Sequence, residues 1–581
     1  MSENHKLANI TRQKLILSEK RNEIIQTTSE KALDLIFSSP TPASLVQSFP
    51  EEDLFFLVYS IGLEDSIAIL ALATSEQWGY MLDVEVWDKD RVNLLETTKW
   101  LNLLLQADNK RTVRWLLNER LEFIENYLKN NIDIIIREEN QDPSEFPDDF
   151  FTFDDYFYVR ILKTPEGVVF EGEDAKETGE EREEIVRHFI DTLVEFDIGL
   201  FQKVMLESAS VISAVVEEED FRMRNVRLAE KGFLPFDEAL NIYSPTSVDD
   251  IISAKEKIIV NTPVEEDAIS VPATYISELT ENNNFTTALS LIDNKQNLEI
   301  LQIEFASLCN QIIAADQEKV KGRQALKGVV TKACGYVSLG IELLINEVGE
   351  NTSVDSLIIK HPLKDIFRLG YGLVMELKWR AEKFTNTGWY KDEGLSLSFW
   401  GEKWLGILGG LLVKRPVFFD NYETGVVYRD FASLEDIAKT GNAIETIKKY
   451  DDLLSMIAPD TKTFTDNFLT CYNLLLTLWI QNFDDEKLIQ TGPVKIQILR
   501  DFFEKLWEPG LRDFDNPGKI SENIKTQFLK WLSALSGFTE IEISKSIGDG
   551  LEMMFQEIES EYSCVNASDL DPKYIHLFCV E

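Results

Sequence analysis

The chain has 581 residues, and its 101 acidic against 58 basic side chains give a formal net charge of −43. Such a field repels phosphate backbones and anionic bilayers, so nucleic acid and membrane surfaces are excluded as expected partners. A hydrophobic share of 44% with 35 phenylalanines excludes wholesale disorder, and about 150 residues per domain gives roughly three or four domains as a starting expectation.

Residues 1–18 are polar and lack the apolar stretch of a secretory signal. The apolar runs 54–74 and 404–413 are interrupted or about half a membrane span long. Together they predict a cytoplasmic protein with no membrane insertion. Residues 20–38 read as one helix. Between 49 and 130 come short apolar segments with acidic restarts, first Phe49-Pro50-Glu51-Glu52-Asp53, then near Gly62 and Thr74. Proline at a helix start and acids in the first turn suit unpaired amides and the positive dipole end. Helices this short must lean on neighbours. Leu94, Leu101 and Leu105 mark one helix, and Val113, Leu117, Leu121, Ile124 and Leu128 mark the next, with a break at Asp108-Asn109. All of 20–136 is expected to be helical.

The acidic stretch 137–149, with Pro143 and Pro147, reads as a linker. After it the pattern turns to aromatic and β-branched residues at 150–153, 156–162 and 168–170. These suggest a small antiparallel meander with Asp154-Asp155 as a tight turn. The acidic run 171–184 leads into a helix with Val186, Ile190, Leu193 and Phe196 on one face. Gly232-Phe233-Leu234-Pro235 is a helix stop followed by a restart. A polar section over 244–271 marks a second boundary, and the remainder returns to helical periodicity. Predicted domains are therefore 1–140, a helical stack; 150–260, a mixed middle region; and 261–581, a second helical region. The fold class is mostly α, stacked and solenoid-like, with a small β insertion near 150–170.

Two resemblances follow from these residues. The restarts over 49–136 resemble the intracellular N domain of bacterial magnesium transporters, which implies a stack of short helices. The whole chain is similar to an uncharacterised bacterial family of unknown function, through Phe151-Thr152-Phe153-Asp154-Asp155-Tyr156, Gly232–Tyr243 (GFLPFDEALNIY), Arg415-Pro416-Val417-Phe418 and Asp571-Pro572-Lys573-Tyr574. That resemblance implies a soluble helical protein and supplies no activity.

Chemistry-bearing motifs are scarce. His5, His188, His361 and His576 have no ligand neighbour at helical spacing. Nucleophile elbow, phosphate loop and dinucleotide fingerprint are all missing. Cys309, Cys334, Cys471, Cys564 and Cys579 are far apart and read as ordinary intracellular thiols. The acidic segments, including Asp148, Asp149 and 171–184, offer loose sites for magnesium or calcium, with solvated charge as the plainer reading. The basic run Lys319, Lys321, Arg323, Lys327 and Lys332 reads first as a solvated helix face, with an acidic partner or this chain's own acidic loop as the other readings. Trp389, Trp400 and Trp404 followed by Arg415 form the candidate ligand pocket, against the plainer reading of an aromatic core. No catalytic residue is assigned. The expected role is a protein-interaction or regulatory module with a protein partner. The alternatives are a small-molecule or Mg/Ca sensor using the acidic segments or the Trp389–Arg415 region, and an enzyme of unrecognised type.

Overall fold

Short apolar stretches punctuated by Pro, Gly and Thr can shelter their backbones only as helices leaning on one another, and the first half of the chain is built that way. The computed structural model describes residues 2–164, 175–257, 271–349, 353–464, 469–483, 491–510 and 517–581. The expected strand at 168–170 and the start of the acidic run, 171–174, lie outside the described residues. The chain divides into two units: Met1–Ser244, Val248–Val337 and Leu344–Arg368 form the first, and Pro245–Ser247, Ser338–Leu343 and Leu369–Glu581 the second.

The first unit opens with α1 (Ser2–Gln26), α2 (Ser29–Phe37), α3 (Pro42–Gln47), α4 (Glu51–Ile61), α5 (Ile67–Leu72) and α6 (Ser75–Glu85). The restarts after Pro50, Gly62 and Thr74 stand where the sequence places them. Residues 20–38, however, are two helices, because the chain breaks at Thr27-Thr28 and Ser29 Oγ donates to the Ser60 carbonyl at 2.7 Å. Helices two apart in sequence pack together, α2 on α4 on α6 and α3 on α5 on α7 (Leu94–Glu119), as in stacked helical arrays. Thr74 and Gln77 close a reciprocal capping box on α6, and the Gln77 amide also bonds the Val46 and Phe49 carbonyls. The buried Asp53 carboxylate accepts the backbone N–H groups of Ala273 and Thr274 at 2.9 Å each, fixing a distant segment onto α4.

Helix α7 breaks at Asp108, whose backbone is extended (φ −163°, ψ 96°) and whose carboxylate accepts the Arg111 N–H, as the sequence indicates. The stripe drawn through Val113–Leu128 is interrupted, because α7 ends at Glu119 and α8 (Leu121–Asn131) starts afresh. At the joint, Arg120 turns to bind Asp83. The buried positions are consequently Val113, Leu116, Ile124 and Leu128, with Leu117 and Leu121 only half-buried. Two further departures concern strands within the span expected to be all helix. A hairpin, β1 (Trp87–Asp88) with β2 (Arg91–Val92), follows α6. Strand β3 (Ile132–Ile136) follows α8 and pairs antiparallel with β5 (Phe157–Ile161), which pairs in turn with β4 (Phe151–Thr152). The β insertion is therefore present, and it begins at 132. Five consecutive residues of which four are isoleucine suit a pleated surface better than a helix. The Asp154-Asp155 turn is as expected: Asp154 accepts the Tyr156 and Phe157 N–H groups, and Asp155 sits at φ +60°.

The unit continues with α9 (Ala175–Phe196), α10 (Ile198–Ser210), α11 (Ser213–Ala229), α12 (Phe236–Ala239), α13 (Val248–Ser253), α14 (Thr274–Ser277), α15 (Asn284–Ser290) and α16 (Lys295–Asp316). Val186, Ile190 and Leu193 of α9 are buried. By length and composition, α16 and the helix Arg323–Val348 are both apolar enough to cross a membrane, whereas the sequence drew attention only to 54–74 and 404–413. Of their most apolar windows, 50% and 67% respectively lie buried within the protein.

In the second unit, helices Leu434–Ile457, Cys471–Gln481, Ile496–Leu506, Glu522–Ser536 and Glu540–Tyr562 surround a core rich in Leu, Phe and Trp. Its hairpin, β6 (Phe418–Phe419) with β7 (Tyr428–Arg429), is tied down by Arg429, which bonds the buried Asp420 and takes Asp436 through both amino nitrogens. The fold is mostly α, with three small antiparallel sheets among the described residues.

Candidate functional site

The aromatic candidates of the second unit are packed against one another. Trp400 and Trp404 are buried with ring centroids 6.3 Å apart. Phe384 and Tyr390 stand 5.6 and 5.5 Å from Trp400, and Tyr450 and Tyr472 stand 5.1 and 5.4 Å from Trp404. Trp389 is half-buried against Phe399, and its N–H donates to Asp451 at 2.7 Å. Arg415 lies half-buried in the loop after the helix Glu402–Leu412.

A cavity of about 540 Å³ lies instead in the first unit. Helical spacing places its walls. Tyr80 and Val84 are one turn apart on α6, and Trp87 continues that face into β1. Phe221, Arg224 and Leu228 follow at three and four residues on α11, which puts them on one face. The segment Phe233–Asp237 and the end of α16 close the remaining sides. Gly232 delivers Phe233 into the wall: it has φ +86°, and its backbone runs directly against Ser307 of α16. Lys231 beside it is held from both directions, its carbonyl by Asn310 at 2.7 Å and its ammonium by Glu51 at 2.7 Å.

The polar groups at this site are specific. Arg224 lines the cavity with its guanidinium 5.7 Å from the Trp87 ring and 5.9 Å from Phe221, and burial pushes its pKa down to about 10. It donates through Nε to the Asp83 carbonyl at 2.6 Å. The Asp83 carboxylate is itself occupied on both oxygens, by Arg120 at 3.1 and 3.3 Å and by Arg227 at 2.7 and 2.8 Å. Glu85, also on the lining, is paired with Lys321 at 3.0 Å. Lys321 further reaches Glu96 at 3.3 Å, Arg323 pairs with Glu278 and Lys332 with Asp316. The basic run is therefore a solvated face only in part, because Lys321, Arg323 and Lys332 pair with Glu85, Glu96, Glu278 and Asp316, none of them in the acidic stretch 171–184.

Behind Tyr80 sits Glu52, 2% exposed, with Lys231 3.8 Å from one oxygen. Burial raises its pKa to about 7, against the pull of Lys231. A carboxyl whose folded pKa exceeds its unfolded value of about 4.3 binds its proton more tightly in the native state, so stability falls as pH rises between the two values. Glu52→Gln removes that dependence. The melting temperature of the variant relative to the parent should climb from pH 5 to pH 8, and a difference that stays flat would show Glu52 ionised throughout.

Nothing in the linear pattern gathers these segments, because the lining comes from separate stretches between Phe55 and Val320. One signal pointed there: Gly232–Tyr243 stands out in the sequence, and its first residues form a wall. That stretch also bears on ancestry. The family model described as "Family of unknown function (DUF6178)" matches residues 9–581. The chain belongs to the DUF6178 family. No curated protein and no solved structure matches it, and the DUF6178 match does not carry the magnesium-transporter likeness of 49–136. Among the described residues of this DUF6178 member, no group of three or more His, Cys, Asp or Glu side chains is arranged to hold a metal ion.

Proposed function

We propose that this protein is a small-molecule-binding regulatory module whose ligand occupies the cavity of the first unit. The observation that carries this reading is the cavity itself, about 540 Å³ with walls including Phe55, Tyr80, Trp87, Phe221 and Phe233. Its size falls in the range of about 300–1,000 Å³ typical of ligand sites, and mostly apolar walls with a few placed polar groups are how such sites hold small molecules. The second unit's Trp400–Trp404 region, by contrast, is filled by its own rings.

The test uses the full chain and the neutral fluorescent probe N-phenyl-1-naphthylamine. Saturable binding at one probe per chain is expected, together with its loss in Ala314→Trp, where the larger side chain enters the cavity from α16. Binding that survives in a folded Ala314→Trp protein, or no saturable binding to the parent, defeats the reading.

A further inference from the structure

We propose that the ligand of this cavity is an aromatic anion, its charged group held by Arg224 and its ring lying against Trp87 and Phe221; this rests on the cavity being the ligand site. A guanidinium carries five N–H groups in a planar fork suited to carboxylate or phosphate oxygens. Arg224 uses Nε on the Asp83 carbonyl, and one amino nitrogen rests 3.3 Å from Asn225 Oδ1. No carboxylate forms an ion pair with it among the described residues, unlike the arginines around it.

The neighbouring acids do not pair with Arg224. Asp83 spends both carboxylate oxygens on Arg120 and Arg227, and Asp220, whose pKa burial raises to about 6, keeps one buried oxygen without a hydrogen-bond partner. Glu85, the buried acid on the lining, has Lys321. Asp83 acts on this half-buried cation without pairing with it, and a cation taken from water without a contact partner is costly, so a ligand anion would supply the contact that the fold omits. The aromatic rings beside the guanidinium hold it by cation–π attraction and leave a planar fork preorganised.

The remaining charged groups on the lining, Asp88, Lys89, Asp90, Asp237, Glu318 and Lys319, are of both signs and exposed. Exposed charges are screened over about 8–10 Å at ordinary ionic strength. They weigh less on a bound anion than a half-buried arginine within hydrogen-bonding reach of it.

The experiment compares naphthalene-1-acetate with naphthalene-1-acetamide, a pair sharing one ring system and differing in charge, as competitors of bound N-phenyl-1-naphthylamine. The acetate should displace the probe at about tenfold lower concentration, one factor of ten being the scale of a single charge-assisted contact. In Arg224→Gln the two competitors should become equal, with saturable probe binding at one per chain and a melting temperature close to the parent's reporting that the cavity is still folded. Equal competition in the parent protein, stronger competition by the amide, or no displacement by the acetate while the probe binds would each overturn the inference. So would a preference that persists in Arg224→Gln. If the probe itself does not bind the parent, the failure lies with the cavity as a ligand site and not with the charge of its ligand.

Discussion

Asp83→Ala is expected to lower the free energy of unfolding by about 3 kcal/mol, the lower end of the roughly 3–5 kcal/mol found when one partner of a buried ion pair is removed. The side chain of Asp83 is 4% exposed, and those of its partners Arg120 and Arg227 are 14% and 37% exposed. The more open Arg227 is partly screened by solvent, which places the value at the lower end. Without the carboxylate, Arg120 and Arg227 face one another beside Arg224, and the α8 joint loses the contact that turns it. A shift in the urea midpoint at unchanged slope is the readout. A change below about 1 kcal/mol would mean that Asp220 takes over both arginines. Added salt should reduce the loss only modestly, because the Asp83–Arg120 contact is buried and little screened while Arg227 is partly open.

Gly232→Ala is expected to cost about 2–5 kcal/mol. A Cβ at this position would lie 2.4 Å from Ser307 Oγ and 2.6 Å from Ser307 Cα, and the residue holds φ +86°. Left-handed strain contributes about 1–2 kcal/mol, and forcing an extra methyl into packed surroundings about 1–3 kcal/mol. The segment has little room to back away, since Asn310 and Glu51 grip Lys231 on either side. The neighbouring wall of Phe233–Phe236 must move with it, so probe affinity should fall along with melting temperature. Gly328→Ala is the matched control: nothing lies within 4 Å of its Cβ position, and in a helix alanine is favoured by about 0.5–1 kcal/mol. A Gly232→Ala protein as stable as its parent would show that α16 yields easily at Ser307.

Local signals and tertiary ones fared differently. The restarts after Pro50, Gly62 and Thr74, the break at Asp108, the turn at Asp154-Asp155 and the stop at Gly232 were legible, because caps, turn residues and glycine act on their immediate neighbours. The joint at Arg120 was not, since apolar spacing runs straight through it and the cause, Asp83, lies 37 residues away. Strand β3 was hidden by isoleucines that suit either a buried helix or a strand, and its partner β5 decided the matter. The aromatic run Trp389–Trp404 announced itself by composition, yet large rings fill cores as readily as they line pockets. The cavity gave no such notice, for its polar centre is one arginine among three closely spaced ones, set apart only by what its neighbours already hold. Arg222 pairs outward with Glu219 and Arg227 pairs with Asp83.

The contact between Asp53 and the amides of Ala273 and Thr274 joins positions 220 and 221 residues apart. During synthesis at about 5–20 residues per second, the ribosome needs on the order of ten to forty seconds to make the chain between them. Throughout that interval α4 is complete while the two groups that answer its innermost carboxylate do not yet exist. The amino-terminal helices thus emerge as an unfinished shell, and the nascent polypeptide has to keep that seam open until its carboxyl-terminal half of the bond arrives.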